Sequence, residues 1–214
     1  MSASTSDYPS VSFDPTTSKF SVSCGGLSIE TTVTDKGSIA EEWVGLICSK
    51  YAGKHTVVGL DTEWKPDPEP SLMRAAILQL CVENMCLILQ LFHMDHFPVS
   101  LRSFLADSNF TFVGLQVGLD ISKLKKEYGL ECRNGLDLLH LTKEQWPGRF
   151  TSPGLKYLAK ELVGLDIKKP KDVSISKWHE RNLTRAQIEY ASIDAYVSYR
   201  IGHKLLKQGI VPSS

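Results

Sequence analysis

Polar and apolar positions along this chain follow two periods, and the changes between them mark its elements. Lys19 to Cys24 and Leu27 to Val33 alternate in twos around Gly25-Gly26, which predicts two strands joined by a tight hairpin. Ser38 with Glu41 has the spacing of a capping box, opening a helix to about Lys50. His55 to Glu63 (HTVVGLDTE) is apolar for most of its length, as in a central strand, and it ends in two carboxylates. After three prolines, the apolar runs Ala75 to Val82 and Met85 to Leu91 flank Glu83-Asn84 and predict a second hairpin.

The second half alternates strand and helix. Leu101 to Ala106 reads as a helix, Phe110 to Leu115 as a buried strand, and Leu119 to Tyr128 as a helix stopped by Gly129. Ser152-Pro153 has the form of a cap with proline at the first helical position. Thr184 with Gln187 forms a capping box for a long helix reaching about Gln208. This order predicts an α/β domain with a mixed sheet over residues 18–210. Residues 1–17, rich in Ser, Thr and Pro, form a tail or extended arm, and residues 211–214 form a second tail.

Composition adds limits. With 214 residues, 42% of them hydrophobic and 22% charged, the chain suits one globular unit and neither a collagen-like nor a disordered class. Lys plus Arg (24) equals Asp plus Glu (24), so any polyanion site must be local. Residues 156–185 carry 8 basic and 4 acidic side chains, whereas residues 1–50 carry 3 and 6. Five cysteines without a CxxC pair suggest buried thiols rather than disulfides or a zinc ribbon. No run approaches the ~18 apolar residues of a membrane span, and the start lacks a secretory layout. A soluble, intracellular protein without membrane contact is expected, in the nucleus or the cytosol.

The chemistry lies in the acids. Asp61 and Glu63 are two apart on a strand, so both project from one face with Thr62 on the other. Two adjacent anions at the end of an apolar strand need a cation, and oxygen ligands favour Mg²⁺ or Mn²⁺; a solvated strand end is the alternative for so short a motif. Asp120 falls in the first helical turn after a strand, where it serves either the helix dipole or a ligand beyond the strand's carboxyl end. Tyr190 and Asp194 are four apart and share a helix face in an otherwise apolar segment, where an acid needs a partner or a metal.

The order DxE, then D, then YxxxD, carried by VVGLDTEWKP, FVGLQVGLDISKLKKEYGL and YASIDAYVSYRI, resembles the DEDD superfamily of 3'-to-5' exonucleases. It is most similar to Werner-syndrome-type exonuclease domains and, more distantly, to ribonuclease D. Position 189, where a histidine-bearing relative would carry its histidine, is Glu, which places the chain in the tyrosine branch. The resemblance spans about 150 residues and implies an RNase H-like fold, a mixed five- to six-stranded sheet flanked by helices. It also implies two-metal hydrolysis of phosphodiester bonds at the 3' end of DNA or RNA, releasing nucleoside 5'-monophosphates. Asp61, Glu63 and Asp194 would hold one Mg²⁺ or Mn²⁺, Asp61 with Asp120 the second, and Tyr190 would position the attacking water.

Substrate contacts are less specific. Trp64 either stacks on the terminal base or packs its own hairpin. Lys168, Lys169, Lys171, Lys177, Arg181 and Arg185 form a basic stretch that either touches phosphates or is a solvated loop; Lys177, Arg181 and Arg185 are the candidates taken forward. Trp178 reads as structural, and His93-x-x-His96 lacks further metal-ligand spacing. The expectation is a stand-alone catalytic domain acting on nucleic acid with a free 3' end, and a homo-oligomer is consistent with the resemblance. The alternative is a catalytically silent nucleic-acid-binding or scaffolding module on the same fold.

Overall fold

The computed structural model of the chain describes residues 10–69 and 72–208. Its elements are β1 (Val11–Asp14), β2 (Lys19–Cys24), β3 (Leu27–Thr34), α1 (Gly37–Lys50), β4 (Thr56–Trp64), β5 (Ala75–Val82), β6 (Met85–Gln90), α2 (Val99–Ala106), β7 (Phe110–Gly114), α3 (Val117–Tyr128), β8 (Gly135–Asp137), α4 (Leu138–Gln145), α5 (Leu155–Val163), α6 (Lys171–Ser174) and α7 (Arg185–Gln208). The strands form one mixed sheet in the order β1-β2-β3-β6-β5-β4-β7-β8. Antiparallel runs β1-β2-β3 and β6-β5-β4 meet through the parallel pair β3-β6, and β7 and β8 continue in parallel from β4.

Both predicted hairpins form. Gly25 and Gly26 take φ of +57° and +80°, the left-handed pair that a two-residue hairpin requires. Val82 pairs with Met85 across Glu83-Asn84. The sheet has eight strands rather than five or six. One addition, β1, lies within the segment expected to be a tail; it has only two apolar residues, Val11 and Phe13, and is held by its register with β2, Val11 opposite Val22. The other, β8, has three residues, too few to show a period. The expected tails at 1–9 and 211–214 lie outside the described residues.

Two helix starts differ from the sequence pattern. Ser38 is not the cap of α1: the helix begins at Gly37, whose N–H donates to Asp95 Oδ1 at 2.8 Å, so a carboxylate far along the chain replaces the local box. Helix α5 begins at Leu155 behind Gly154, two residues later than Ser152-Pro153 would place it. The Thr184 box does form, with Gln187 N–H to Thr184 Oγ1 at 3.2 Å and Thr184 N–H to Gln187 Oε1 at 2.9 Å.

Apolar layers cover both faces, which is why β4 and β5 read as nearly continuous apolar runs. Trp43, Ile47, Phe104 and Leu124 from α1, α2 and α3 pack on one side with Val58 and Leu60. Leu158, Ala191, Ala195 and Ile201 from α5 and α7 pack on the other with Val57 and Val113. The cysteines are free, all but Cys48 buried. No helix among the described residues is long and apolar enough to cross a membrane.

Candidate active site

The pleat of β4 sends Asp61 and Glu63 toward α7 and Thr62 and Trp64 toward α3. Helix α7 approaches this strand closely because Gly59 has no side chain. A Cβ at Gly59 would lie 2.0 Å from the Ala195 carbonyl oxygen and 2.6 Å from the Tyr199 nitrogen. That approach puts Asp194 against the strand end, and carboxylate oxygens of Asp61, Glu63 and Asp194 come within 4.8 Å of one another. Strand β7 stops at Gly114, and Gln116, at φ +58°, turns the chain into α3. Asp120 from the first turn of α3 therefore reaches β4 where β7 has ended.

Burial raises the proton affinity of all four acids. At Asp61 the charges of Asp194 and Asp120 add to it, and at Glu63 burial followed by Asp61 and Asp194 pushes the pKa up to about 10. At Asp120 burial lifts the pKa to about 6 against hydrogen bonds from Thr62 and Trp64. Thr62 Oγ1 donates to Asp120 Oδ1 at 2.5 Å and accepts from Trp64 Nε1 at 2.8 Å. The residue on the opposite face of the DxE triplet thus orients the next acid.

Lys169 completes the cluster. Its Nζ donates to Asp194 Oδ2 at 2.5 Å and lies 4.9 Å from the Tyr190 ring centroid. Burial works against its charge, but Asp194 and Asp61 outweigh burial and raise its pKa. Sequence reasoning placed Lys169 only among the basic stretch; no spacing rule connects residue 169 to residues 61 and 194. Gln79 sits opposite Asp61 in the β4–β5 register with both amide atoms buried and unpartnered. Three crowded carboxylates, a single ammonium and an orphaned amide fit a hard divalent cation, because oxygen donors without Cys or His suit Mg²⁺ or Mn²⁺.

A pocket of about 370 Å³ opens in front of the acids, lined by Asp61, Glu63 and Asp120 together with Trp64, Met73, Leu119 and Ile175. Leu119 and Ile175 are 59% and 64% exposed, so their apolar surface is open to a ligand in the pocket. Tyr190 is buried against Trp178, ring centroids 5.9 Å apart, and burial followed by the charge of Asp194 pushes its pKa up to about 12. Trp178 is structural as expected, 1% exposed with Nε1 bonded to Ser174 O at 3.0 Å.

The expected substrate contacts separate. Trp64 lines the pocket, held by Thr62 and by Lys123 Nζ 4.5 Å from its ring centroid. Arg181 pairs with Asp35, and its carbonyl accepts from Gln90 Nε2 at 2.7 Å, so it fastens a loop outside the pocket. Lys177 and Arg185 are exposed and do not line the pocket. His93 bonds the His179 carbonyl and His96 pairs with Asp95, so neither joins the acid cluster.

Residues 40–210 match the family profile of the 3'-5' exonuclease domain. A 3'-5' exonuclease of Arabidopsis thaliana is 33% identical over 153 residues, covering 70% of this chain and 52% of the relative. The bifunctional 3'-5' exonuclease/ATP-dependent helicase WRN of Mus musculus is 31% identical over 151 residues, covering 70% of this chain and 11% of the relative. The chain thus spans about half, or much less, of the curated relatives it matches. Among solved structures, RNase D of Escherichia coli superposes with a TM-score of 0.71 at 19% identity, over 83% of this chain and 44% of that one. The exonuclease domain of Aedes aegypti Nibbler does so with a TM-score of 0.64 at 18% identity, over 83% and 88%. These two structural likenesses establish the RNase H-like fold.

Proposed function

The chain belongs to the 3'-5' exonuclease family, and from that premise we propose that it hydrolyses the terminal phosphodiester bond at the 3' end of DNA or RNA, releasing nucleoside 5'-monophosphates. The observation that carries this reading is the convergence of Asp61, Glu63 and Asp194, the first two of which line a pocket that also presents Asp120. Asp61, Glu63 and Asp194 would hold one Mg²⁺ or Mn²⁺, and Asp61 with Asp120 the second. Bound there, a pair of such ions supplies charge stabilisation to the attacking and leaving oxygens of an in-line displacement.

The chain's own groups do the rest. Leu119 and Ile175, exposed in the same pocket as Trp64 and Met73, offer apolar surface to the terminal base, which every base can use. Thr62 fixes the Asp120 carboxylate, and Lys123 fixes the Trp64 ring. Tyr190, whose phenol pKa is pushed up to about 12 by burial and the charge of Asp194, would serve to orient the attacking water. In the displacement the water oxygen bonds to phosphorus and gives up a proton to solvent, the bond to the 3'-oxygen of the preceding nucleotide breaks, and that oxygen takes up a proton from solvent. The presence of all four acids and Tyr190 favours turnover over a silent binding module.

A degradation assay on matched 5'-labelled DNA and RNA strands, with Mg²⁺, Mn²⁺ or EDTA, tests this. Stepwise shortening from the 3' end is expected with metal, none with EDTA, and none for Asp61→Asn or Asp194→Asn. Binding without shortening on every strand would leave the silent module as the better reading.

A further inference from the structure

A second charged feature lies at the opposite end of β4. Two adjoining cavities, of about 470 and 320 Å³, share His203 and Lys207; the first is also lined by Arg200 and Lys204, the second by Lys54 and His55. They form one trough between the end of α5, the last turns of α7 and the start of β4. None of these six side chains forms an ion pair among the described residues. The acid in the lining, Glu83, is occupied by Lys50 at 3.0 Å. Arg200 donates to the Tyr196 hydroxyl at 2.7 Å and Lys204 to the Leu162 carbonyl at 2.6 Å, neutral partners that orient the two heads without cancelling their charge. Burial, then Lys207 and Arg200, depress the proton affinity of His203, consistent with a positive potential in the trough.

The chain's formal net charge is zero, so this concentration is local. Helix α7 runs antiparallel to β4, with Ala195 and Tyr199 beside Gly59 and His203 beyond them next to the strand's start. From Thr56 to Asp61 is about 17 Å at the usual strand rise, and because α7 covers β4 between them a substrate strand must pass around the helix, so at least roughly five nucleotides at 3.4 Å each separate the two sites. We infer that the trough binds the phosphodiester backbone of the substrate strand about six or more nucleotides away from the reacting 3' end. The nature of the polyanion rests on the nuclease reading of the carboxylate site. Arg200, Lys204, Lys207 and Lys54 contribute charge without base contacts, so the site reads length rather than sequence.

The test is fluorescence anisotropy in EDTA with 5'-labelled single strands of about four and about twenty nucleotides, over a range of salt concentrations. The variant is Lys54→Ala/Lys207→Ala, whose two side chains are exposed at the trough; Lys126→Ala/Lys143→Ala removes the same charge elsewhere. For the trough variant, affinity for the long strand should fall roughly tenfold at low salt, and the slope of log K against log salt should lose about 1.4 units, 0.7 per phosphate contact. Binding of the short strand and its hydrolysis in Mn²⁺ should not change. An unchanged long-strand slope, or an equal loss in the control variant, overturns the inference. If wild type hydrolyses neither strand, the nuclease reading fails, while the anisotropy still decides whether the trough binds.

Discussion

Gly59→Ala should separate the two halves of the active site without touching an acid. The added Cβ would stand 2.0 Å from the Ala195 carbonyl oxygen, where ordinary contact begins at 3.4 Å, so helix and strand must part by about 1.4 Å. Backbone atoms cannot rotate aside as a flexible side chain could, and Ala195 adjoins Asp194. Overpacking of this kind costs about 1–3 kcal/mol, or roughly 3–10 °C in melting temperature for a chain of this size. A misplacement of about 1 Å at a reacting centre costs on the order of a hundredfold in rate. Initial rates on a 3'-terminal substrate at saturating Mn²⁺, together with thermal melts, measure both. Gly45→Ala, where an added Cβ meets nothing within 4 Å, should gain about 0.5–1 kcal/mol and keep full activity. A Gly59→Ala protein that melts and turns over like wild type would refute the claim that this close approach positions Asp194.

Three further outcomes follow from the same cluster. Without metal, Glu63, with its pKa pushed up to about 10, holds a proton that the unfolded chain would release, so stability in EDTA should fall as pH rises from 7 to 9, and Mn²⁺ should flatten the slope; urea midpoints measure it, and a rising EDTA curve would contradict the raised pKa. That window lies above the range in which His203, with its lowered proton affinity, works in the opposite sense. Gln79→Met removes two buried unpartnered atoms and should stabilise the metal-free protein by about 1–2 kcal/mol while lowering turnover; a loss of stability would mean the amide is already satisfied. Thr62→Val removes a bond that holds the Asp120 pKa down, so the acid limb of the kcat profile should move to higher pH and activity should fall by roughly tenfold, and an unmoved limb would separate Asp120 from the rate.

The hairpins, the apolar central strand and the capping box of α7 were legible because each depends on residues within a few positions of one another. The same holds for the pairing of Asp61 with Glu63 and of Tyr190 with Asp194. Misreadings arose where distant groups decided the outcome. Asp95 takes the cap of α1 that Ser38 was expected to supply, and β1 depends on β2 rather than on its own pattern.

Sequence alone determined which acids are present and which face of its own element each occupies, since pleat and helical repeat are properties of the local backbone. Only the tertiary structure decided that Lys169 lies between Asp194 and Tyr190, that Thr62 steers Asp120, and that Leu119 and Ile175 flank the pocket. These contacts join residues 21 to 58 positions apart or more, and they depend on how closely α7 and α3 settle on β4. Packing volume sets that closeness, through a missing side chain at Gly59 and the end of β7 at Gly114, and no periodicity in the chain encodes it.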